Sequence, residues 1–503
     1  MLEVLSLIRS LKNTFALING IPSEVLSLIP DYSNNEDAEL IALTHVCRGW
    51  REIFTSRSSL WTLLDCLDIH KTIAYIRRSK SLPLDICLEK SNDQSYSENA
   101  LYVVAPYLDR LGSLTVCGSV DAIPDLIRRF YRPAPFLRKL KLDLTINRGR
   151  APAFPAFPAT LFGGDLSSLR KLTLAGFATS LPWRNLANLT TFKLSRIPGT
   201  VDPSFVTQLL DFLESAPLLS DVELDSIPAS SNAPPGRVVP IPLLKRPFLS
   251  SPSVYSTFLK HLSIPTGASL VLDFPFYGPN PPIFDCLPHN FDNLRNLSPI
   301  TSISLLLGVG VKFVRFHGPD GQLYLYGTWP DGDDSSHATQ CQTFQSLRGL
   351  DLSNTRRLAI TTCSLSPGNA IDRSSIFQTL LHMNDLRILT LIKCNNLSFI
   401  RALNPGKNRS GTVVCPNLEE VILYIKKLDW FYTSELQEMA SARAGRHAKR
   451  PSITLVSLGV MPPREVFALK PHFLWVEYKV DIESPEWDAL PGDEGPSGDG
   501  SDV

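Results

Sequence analysis

The sequence predicts an α/β protein: a short all-α N-terminal segment, then an irregular solenoid of strand-and-helix repeats carrying loop and hairpin insertions. Three observations lead there. Apolar residues recur at helical spacing between Ile21 and Trp61, and a leucine pattern returns ten times between Leu111 and Leu423. The composition, 44% hydrophobic against 19% charged over 503 residues, supplies more core than one compact domain usually needs.

Residues 1–19 read as an amphipathic helix with Leu5, Ile8, Leu11 and Phe15 on one face. Glu3, Arg9 and Lys12 interrupt the apolar run, so it is not expected to be a secretory signal. The next region, 20–66, reads as three short helices. Pro22 suits a first helical turn, where a missing N–H costs nothing, and Val25, Leu26 and Ile29 follow as an apolar stripe that Pro30 ends. After the polar turn Asp31–Asp37, a second helix is expected to carry Leu40, Leu43, Cys47 and Trp50 on one continuous face, widened by Val46. Arg48, Arg51 and Glu52 fall outside that face, and Leu60 with Trp61 closes the segment.

From 67 to 480 the hexamer L-x-x-L-x-L dominates. It starts at Leu111, Leu137, Leu169, Leu189, Leu219, Leu259, Ile300, Leu347, Leu386 and Leu418, at intervals from 20 residues (169 to 189) to 47 (300 to 347). Two units show the expected content. In one, Asp202 and Pro203 open a helix with Phe205, Leu209, Leu210 and Leu213 on its buried face, and Ala216-Pro217 turns into the strand LSDVEL. In the other, Ser374 or Ser375 caps a helix bearing Ile376, Leu380 and Leu381 before the strand LRILTL. One such unit cannot bury its own apolar face, so the units must stack. Proline-rich Arg148–Gly164, Ile227–Pro252 and Pro275–Pro288 read as surface loops, and Val311–Phe316 with Leu323–Tyr326 reads as a hairpin about Pro-Asp-Gly. The tail 481–503, with eight acids and no lysine or arginine, is expected to be disordered.

Composition excludes several function classes. Forty-nine basic side chains balance forty-nine acidic ones, so no net field attracts nucleic acid or an anionic membrane surface. No stretch has the length and apolarity of a membrane span. The nine cysteines lack CxxC spacing and suit a reducing compartment, cytosol or nucleus. No G-x-S-x-G, H-E-x-x-H, P-loop or G-x-G-x-x-G motif occurs, and no metal or cofactor is expected. An enzyme concealed in the loops between Ile227 and Pro288 would need a deep pocket with converging titratable groups.

Ile21-Pro22, Glu24-Val25-Leu26, Ile29, Leu43, Val46-Cys47, Trp50-Arg51 and Leu60-Trp61 together closely resemble an F-box, and the downstream array resembles the leucine-rich-repeat horseshoes that often follow one. The resemblance implies a non-catalytic substrate receptor of an SCF ubiquitin ligase. Its F-box would bind the Skp adaptor, and through it a cullin, by way of Ile21, Pro22, Val25, Leu26, Ile29, Leu43, Val46, Cys47, Trp50, Leu60 and Trp61. The repeats would hold an unknown protein substrate. The bland alternative makes the N-terminal segment a structural cap on the repeats, and a second alternative makes the chain an interaction scaffold outside any ligase. Trp50→Ala combined with Val25→Asp is expected to abolish adaptor capture and leave circular dichroism nearly unchanged. Within each repeat strand the central x of L-x-L points away from the core. Lys141, Thr173, Lys193, Glu223, Ser263, Ser304, Asp351, Thr390 and Ile422 are therefore the candidate substrate-facing side chains.

Overall fold

The computed structural model describes residues 16–32, 37–89, 102–119, 129–145, 160–177, 186–196, 204–225, 236–250, 258–275, 293–307, 311–328, 344–362, 371–392, 396–408, 411–425, 428–446, 448–457 and 463–480, with the single positions Val4, Phe157, Leu287 and Cys394. The expected face Leu5–Phe15 and the acidic tail lie outside them, as do the helix start Asp202-Pro203 and the loop Pro275–Pro288 apart from Pro275 and Leu287. The chain divides into two compact units, Met1–Pro235 and Gly236–Val503.

The first unit begins with helices α1 (Ser23–Leu26), α2 (Asp37–His45) and α3 (Arg48–Ser56), and 3-10 turns at Ile29–Tyr32 and Ser58–Trp61. The single helix expected across Leu40–Trp50 is broken. Cys47 is extended (φ −157°, ψ 175°) and stands as the N-cap of α3. Arg51 explains the break, because its backbone N–H donates to the Cys47 carbonyl (3.0 Å) while its Nε donates to the Thr44 carbonyl (3.0 Å), an acceptor left open at the end of α2. An apolar stripe can thus stay continuous in sequence across a corner of the backbone. Leu26, Trp50 and Phe54 form the segment's core, with Ile29, Leu43, Cys47, Ile53 and Leu60 packed around it. The Trp50 and Phe54 rings meet edge to face at 5.6 Å.

Trp61, fully buried, ties this segment to α4 (Ile69–Arg78). Its Nε1 donates to the Phe54 carbonyl (2.9 Å), its ring meets Tyr75 edge-on at 4.9 Å, and the Arg78 guanidinium lies 4.3 Å from its centroid. Seven strands follow: β1 (Leu63–Leu64), β2 (Leu84–Glu89), β3 (Leu111–Ser119), β4 (Lys139–Thr145), β5 (Lys171–Ala175), β6 (Thr191–Ser195) and β7 (Asp221–Asp225). Each pairs in parallel with its sequence neighbour. Burial alternates along β4 to β7, apart from buried Ala175 at the end of β5, with Leu140, Leu142, Leu172, Leu174, Phe192, Leu194, Val222 and Leu224 on one face, each such side chain contributing roughly 1.5–3 kcal/mol of transfer free energy. Helix α5 (Phe205–Ser215) covers that face, its Phe212 ring 4.7 Å from Phe192.

The rungs share one turn. The N–H of Leu137, Leu169, Leu189 and Leu219 bonds to the carbonyl three residues back, and the following N–H of Arg138, Arg170, Thr190 and Ser220 bonds to the carbonyl of Gly112, Arg138, Arg170 and Thr190 on the rung before (2.8–2.9 Å).

In the second unit a two-stranded pair, β8 (Val239–Pro240) with β10 (Leu262–Ser263), stands apart from the large sheet. That sheet contains β9 (Arg246–Ser250), β11 (Ser269–Pro275), β12 (Ser302–Leu307), β13 (Val311–His317), β14 (Gln322–Thr328), β15 (Arg357–Thr362), β16 (Ile388–Ile392), β17 (Glu420–Tyr424), β18 (Ser452–Ser457) and β19 (Val476–Val480). The hairpin read from the sequence is present as β13 and β14, and it lies in the plane of the sheet. β14 pairs in parallel with β11, and β13 pairs antiparallel with β12, so two strands are inserted between neighbouring rungs. Its turn is seated on buried Asn296, whose Nδ2 donates to the carbonyls of Ala268 (3.2 Å) and Gln322 (3.1 Å). A Cβ on Gly318 or Gly321 would strike the carbonyls of Asn296 or Thr266, so both positions require glycine.

Three sequence readings change here. The proline-rich stretch Ile227–Pro252 is not all loop, since it contains β8 and β9; Pro247 precedes the paired residues Phe248–Ser250, where its missing N–H does no harm. The hexamer LRGLDL forms a 3-10 turn, Leu347–Gly349, and the strand follows at Arg357, with buried Thr355 where a leucine was sought. Asp372, rather than Ser374 or Ser375, caps helix α6 (Arg373–Leu380), accepting from the N–H groups of both serines (2.8 and 3.0 Å).

Helices α7 (Asn396–Leu403), α8 (Trp430–Ala444) and α9 (Pro463–Leu469) complete the unit. On α8, buried Glu435 receives Arg401 (2.8 Å) and Lys407 (2.6 Å), and Arg443, with no exposure, donates to the carbonyls of Val414 and Cys415 (both 2.8 Å).

Candidate docking surfaces

The structure divides the eleven N-terminal candidates. Leu26, Trp50 and Trp61 are buried inside the first unit, and Ile29, Leu43, Cys47 and Leu60 are half-buried around them. These seven shape the segment. Ile21, Pro22, Val25 and Val46 point outward, with Val25 and Val46 each 52% exposed. Leu28 and Ile41, absent from the sequence-based set, are exposed too. A helical stripe reveals which positions are apolar; only the tertiary fold reveals which of them water reaches. Arg57 was also missed, and its guanidinium donates to the Ser27 carbonyl, joining the end of α3 to the end of α1.

Four of the sheet candidates share one row. Lys141, Thr173, Lys193 and Glu223 are register partners on β4 to β7, preceded by Cys87 and Thr115 on β2 and β3. All four are half-exposed, and Lys193 Nζ meets Glu223 Oε2 at 2.8 Å. One register step away runs the row Asp85, Ser113, Lys139, Lys171, Thr191, Asp221. On the other side Arg196 pairs with Asp143.

In the second unit Ser304, Thr390 and Ile422 share a row with Ala359 and Thr454, and Ser304 is buried. Two candidates leave the face altogether. Ser263 belongs to the separate β8–β10 pair, because the chain turns at Ile264-Pro265 and the sheet strand starts only at Ser269. Asp351 sits in a turn, its carboxylate accepting from the Ser353 N–H (3.1 Å) and hydroxyl (2.7 Å), bonds that hold its pKa below the ordinary value. Ala359 takes the place expected for it.

Burial pushes the thiols of Cys66, Cys394 and Cys415 up to about 12, so these cysteines stay protonated and unreactive at neutral pH. Among the described residues no three His, Cys, Asp or Glu side chains are grouped to hold a metal, and no helix is long and apolar enough to cross a membrane.

With the geometry in place, comparison with known families is informative for one region. Residues 18–66 match the F-box-like family. The match covers α1 to α3 and ends at Cys66, two residues beyond β1. No curated protein matches the chain. The molecule thus has an N-terminal helical F-box-like region followed by a mixed α/β region with a large sheet.

Proposed function

We propose that the chain is the substrate-recognition subunit of an SCF-type ubiquitin ligase. In this reading the F-box-like region docks a Skp-type adaptor, and through it a cullin, while a leucine-rich-repeat solenoid binds a protein substrate on its open sheet face. The observation that carries the reading is the F-box-like match together with outward apolar side chains in the matched segment, Val25 and Ile41 on helices and Ile21, Leu28 and Val46 in the turns beside them. Such side chains on a small three-helix segment suit burial by a partner. The transfer chemistry belongs to other subunits, and the receptor acts in the cytosol or nucleus.

The cap reading draws on Trp61, which packs the segment onto Tyr75 and Arg78. Both roles coexist, since Trp61 is buried and Val25 and Val46 lie exposed. The test replaces Val25 and Val46 by Asp in the full chain. Adaptor capture is expected to fall at least roughly tenfold, with thermal unfolding shifted by less than about 1 kcal/mol, as for exposed positions. Undiminished capture, or capture of adaptor without cullin, rejects the ligase reading. Trp50→Ala does not serve as a docking test, because it empties the segment's core and costs about 3–5 kcal/mol.

A further inference from the structure

A cleft of about 570 Å³ opens along the first unit at the edge where the strands begin, lined among others by Arg138, Arg170, Ser167, Ser168, Asn188 and Thr190. Its two arginines hold equivalent positions on successive rungs, each directly after the leucine of the shared turn. Their backbone groups belong to the inter-rung ladder, and both residues line the cleft and are exposed. Lys139 and Lys171, register partners, adjoin them, and Lys141 follows on the same strand. Asn188 and Thr190 are tied by their own side chains to the carbonyls of Ser167 (2.8 Å) and Arg170 (3.0 Å), so the wall is preset. Asp165, the nearby carboxylate, is engaged by the Ser167 N–H (3.0 Å). Among the described residues no acid forms an ion pair with Arg138, Arg170, Lys141 or Lys171.

We infer that this cleft binds a short acidic segment of a partner polypeptide, the carboxylates of successive Asp or Glu residues lying against Arg138 and Arg170. The cations are distributed over two rungs about 4.8 Å apart, so that each arginine can engage a carboxylate of its own. Phe136 and Leu218, 57% and 43% exposed, also line the cleft and offer apolar contact to uncharged neighbours in the segment. A nucleic acid fits poorly. The positive region lies at the start of β4 and β5 and does not extend to β6 and β7, because Lys193 is paired with Glu223 and Asp221 follows the next turn. The inference rests on the reading of the repeats as the substrate-binding part and concerns their first rungs only.

The experiment measures fluorescence anisotropy on the full chain with three labelled peptides: one rich in Glu, the same peptide with Gln at every Glu, and a phosphoserine peptide without other acids. The Glu peptide is expected to bind, more weakly as sodium chloride rises, and the Gln peptide is not. Arg138→Gln with Arg170→Gln should weaken binding at least roughly tenfold, the loss of charged hydrogen bonds. Lys171→Gln with Lys141→Gln, which leaves the cleft walls intact, should weaken it less, and Lys245→Gln in the other unit should not change it. Equal binding of the Gln peptide, binding of the phosphoserine peptide alone, or indifference to the arginine substitutions overturns the assignment. Adaptor capture by the same variants is read in parallel. Its loss in the unmutated chain counts against the receptor reading, whereas its retention with peptide binding lost supports the cleft.

Discussion

The two units use the same rung and differ in where charge is buried beside it. In the first, the open sheet face carries the ions: Lys193 with Glu223, Arg196 with Asp143, and lysines at 139, 141 and 171. In the second, the row is small or apolar at Ser304, Ala359, Thr390 and Ile422 and charged only toward its ends, at Arg315 and Glu477, while further ions are buried among the helices, at Glu435 and Arg443. The first unit also keeps every strand beside its sequence neighbour, whereas the second admits a hairpin. Charge at a water-exposed face costs little to keep and stabilises little, so it is available for recognition; charge inside must be matched bond by bond and serves to hold the structure.

Four changes probe that contrast. The largest effect is expected from Gly321→Val, which drives a side chain into the Thr266 carbonyl beneath the hairpin turn. It should cost more than about 4 kcal/mol, in the range of severe backbone lesions. Hydrogen exchange should show protection lost across β11–β14 and retained in β3–β6; uniform loss would mean that the two units do not unfold separately. Arg443→Met comes next. It leaves the Val414 and Cys415 carbonyls without their donors, and chemical denaturation should register about 2–4 kcal/mol.

A third probe is pH. Burial alone would raise the Glu435 carboxyl, but the hydrogen bonds from Arg401 and Lys407 outweigh it and hold the folded value below the ordinary one. Its contribution is therefore complete above the unfolded glutamate value and disappears as pH falls through the depressed folded value. Burial would likewise lower Lys407, and its bonds to Glu435 and Glu438 raise it instead, so that contribution is present below the ordinary lysine value and is lost as pH rises through the raised one. Glu435→Gln should flatten the acid limb of the stability profile; an unchanged limb would show the cluster to be dispensable. The smallest effect belongs to Lys193→Ala with Glu223→Ala, whose pair is partly exposed, and unfolding should move by less than about 0.5 kcal/mol.

How much of this was legible beforehand follows from what the leucine pattern measures. It located β3 to β7, β12, β16 and β17, because each of these strands has an aliphatic residue at the turn position three before the strand's first inward side chain. It missed β11, β15 and β18, where Gly267, Thr355 and Arg450 hold that position. It also accepted two decoys, LKHLSI and LRGLDL, whose leucines pack a short side pair and a 3-10 turn. The hairpin's strands were legible from period-two alternation, but its place within the sheet was not, since register depends on which distant strand it meets. At the helical segment the motif residues were visible and their division into core and surface was not. Trp50 and Val25 are both apolar positions on helices, yet one is 5% and the other 52% exposed. Arg51 looked like a surface charge because its partner, the end of the preceding helix, exists only once the chain has turned.

The ladder of turn N–H groups has a further consequence. Each rung is joined to the next by a bond between main-chain atoms at one fixed place, from Arg138 to Gly112 and on to Ser220 with Thr190 in one unit, and from Arg356 to Thr301 and on to Ser452 with Glu419 in the other. The bond specifies where a strand must begin and is silent about the route by which the chain arrives. Segments between rungs are thereby released from any fixed length, which is how intervals of 20 residues (Arg170 to Thr190) and 55 residues (Ile300 to Thr355) coexist in one sequence. Such an architecture accepts or discards whole passages at its periphery while its spine keeps count.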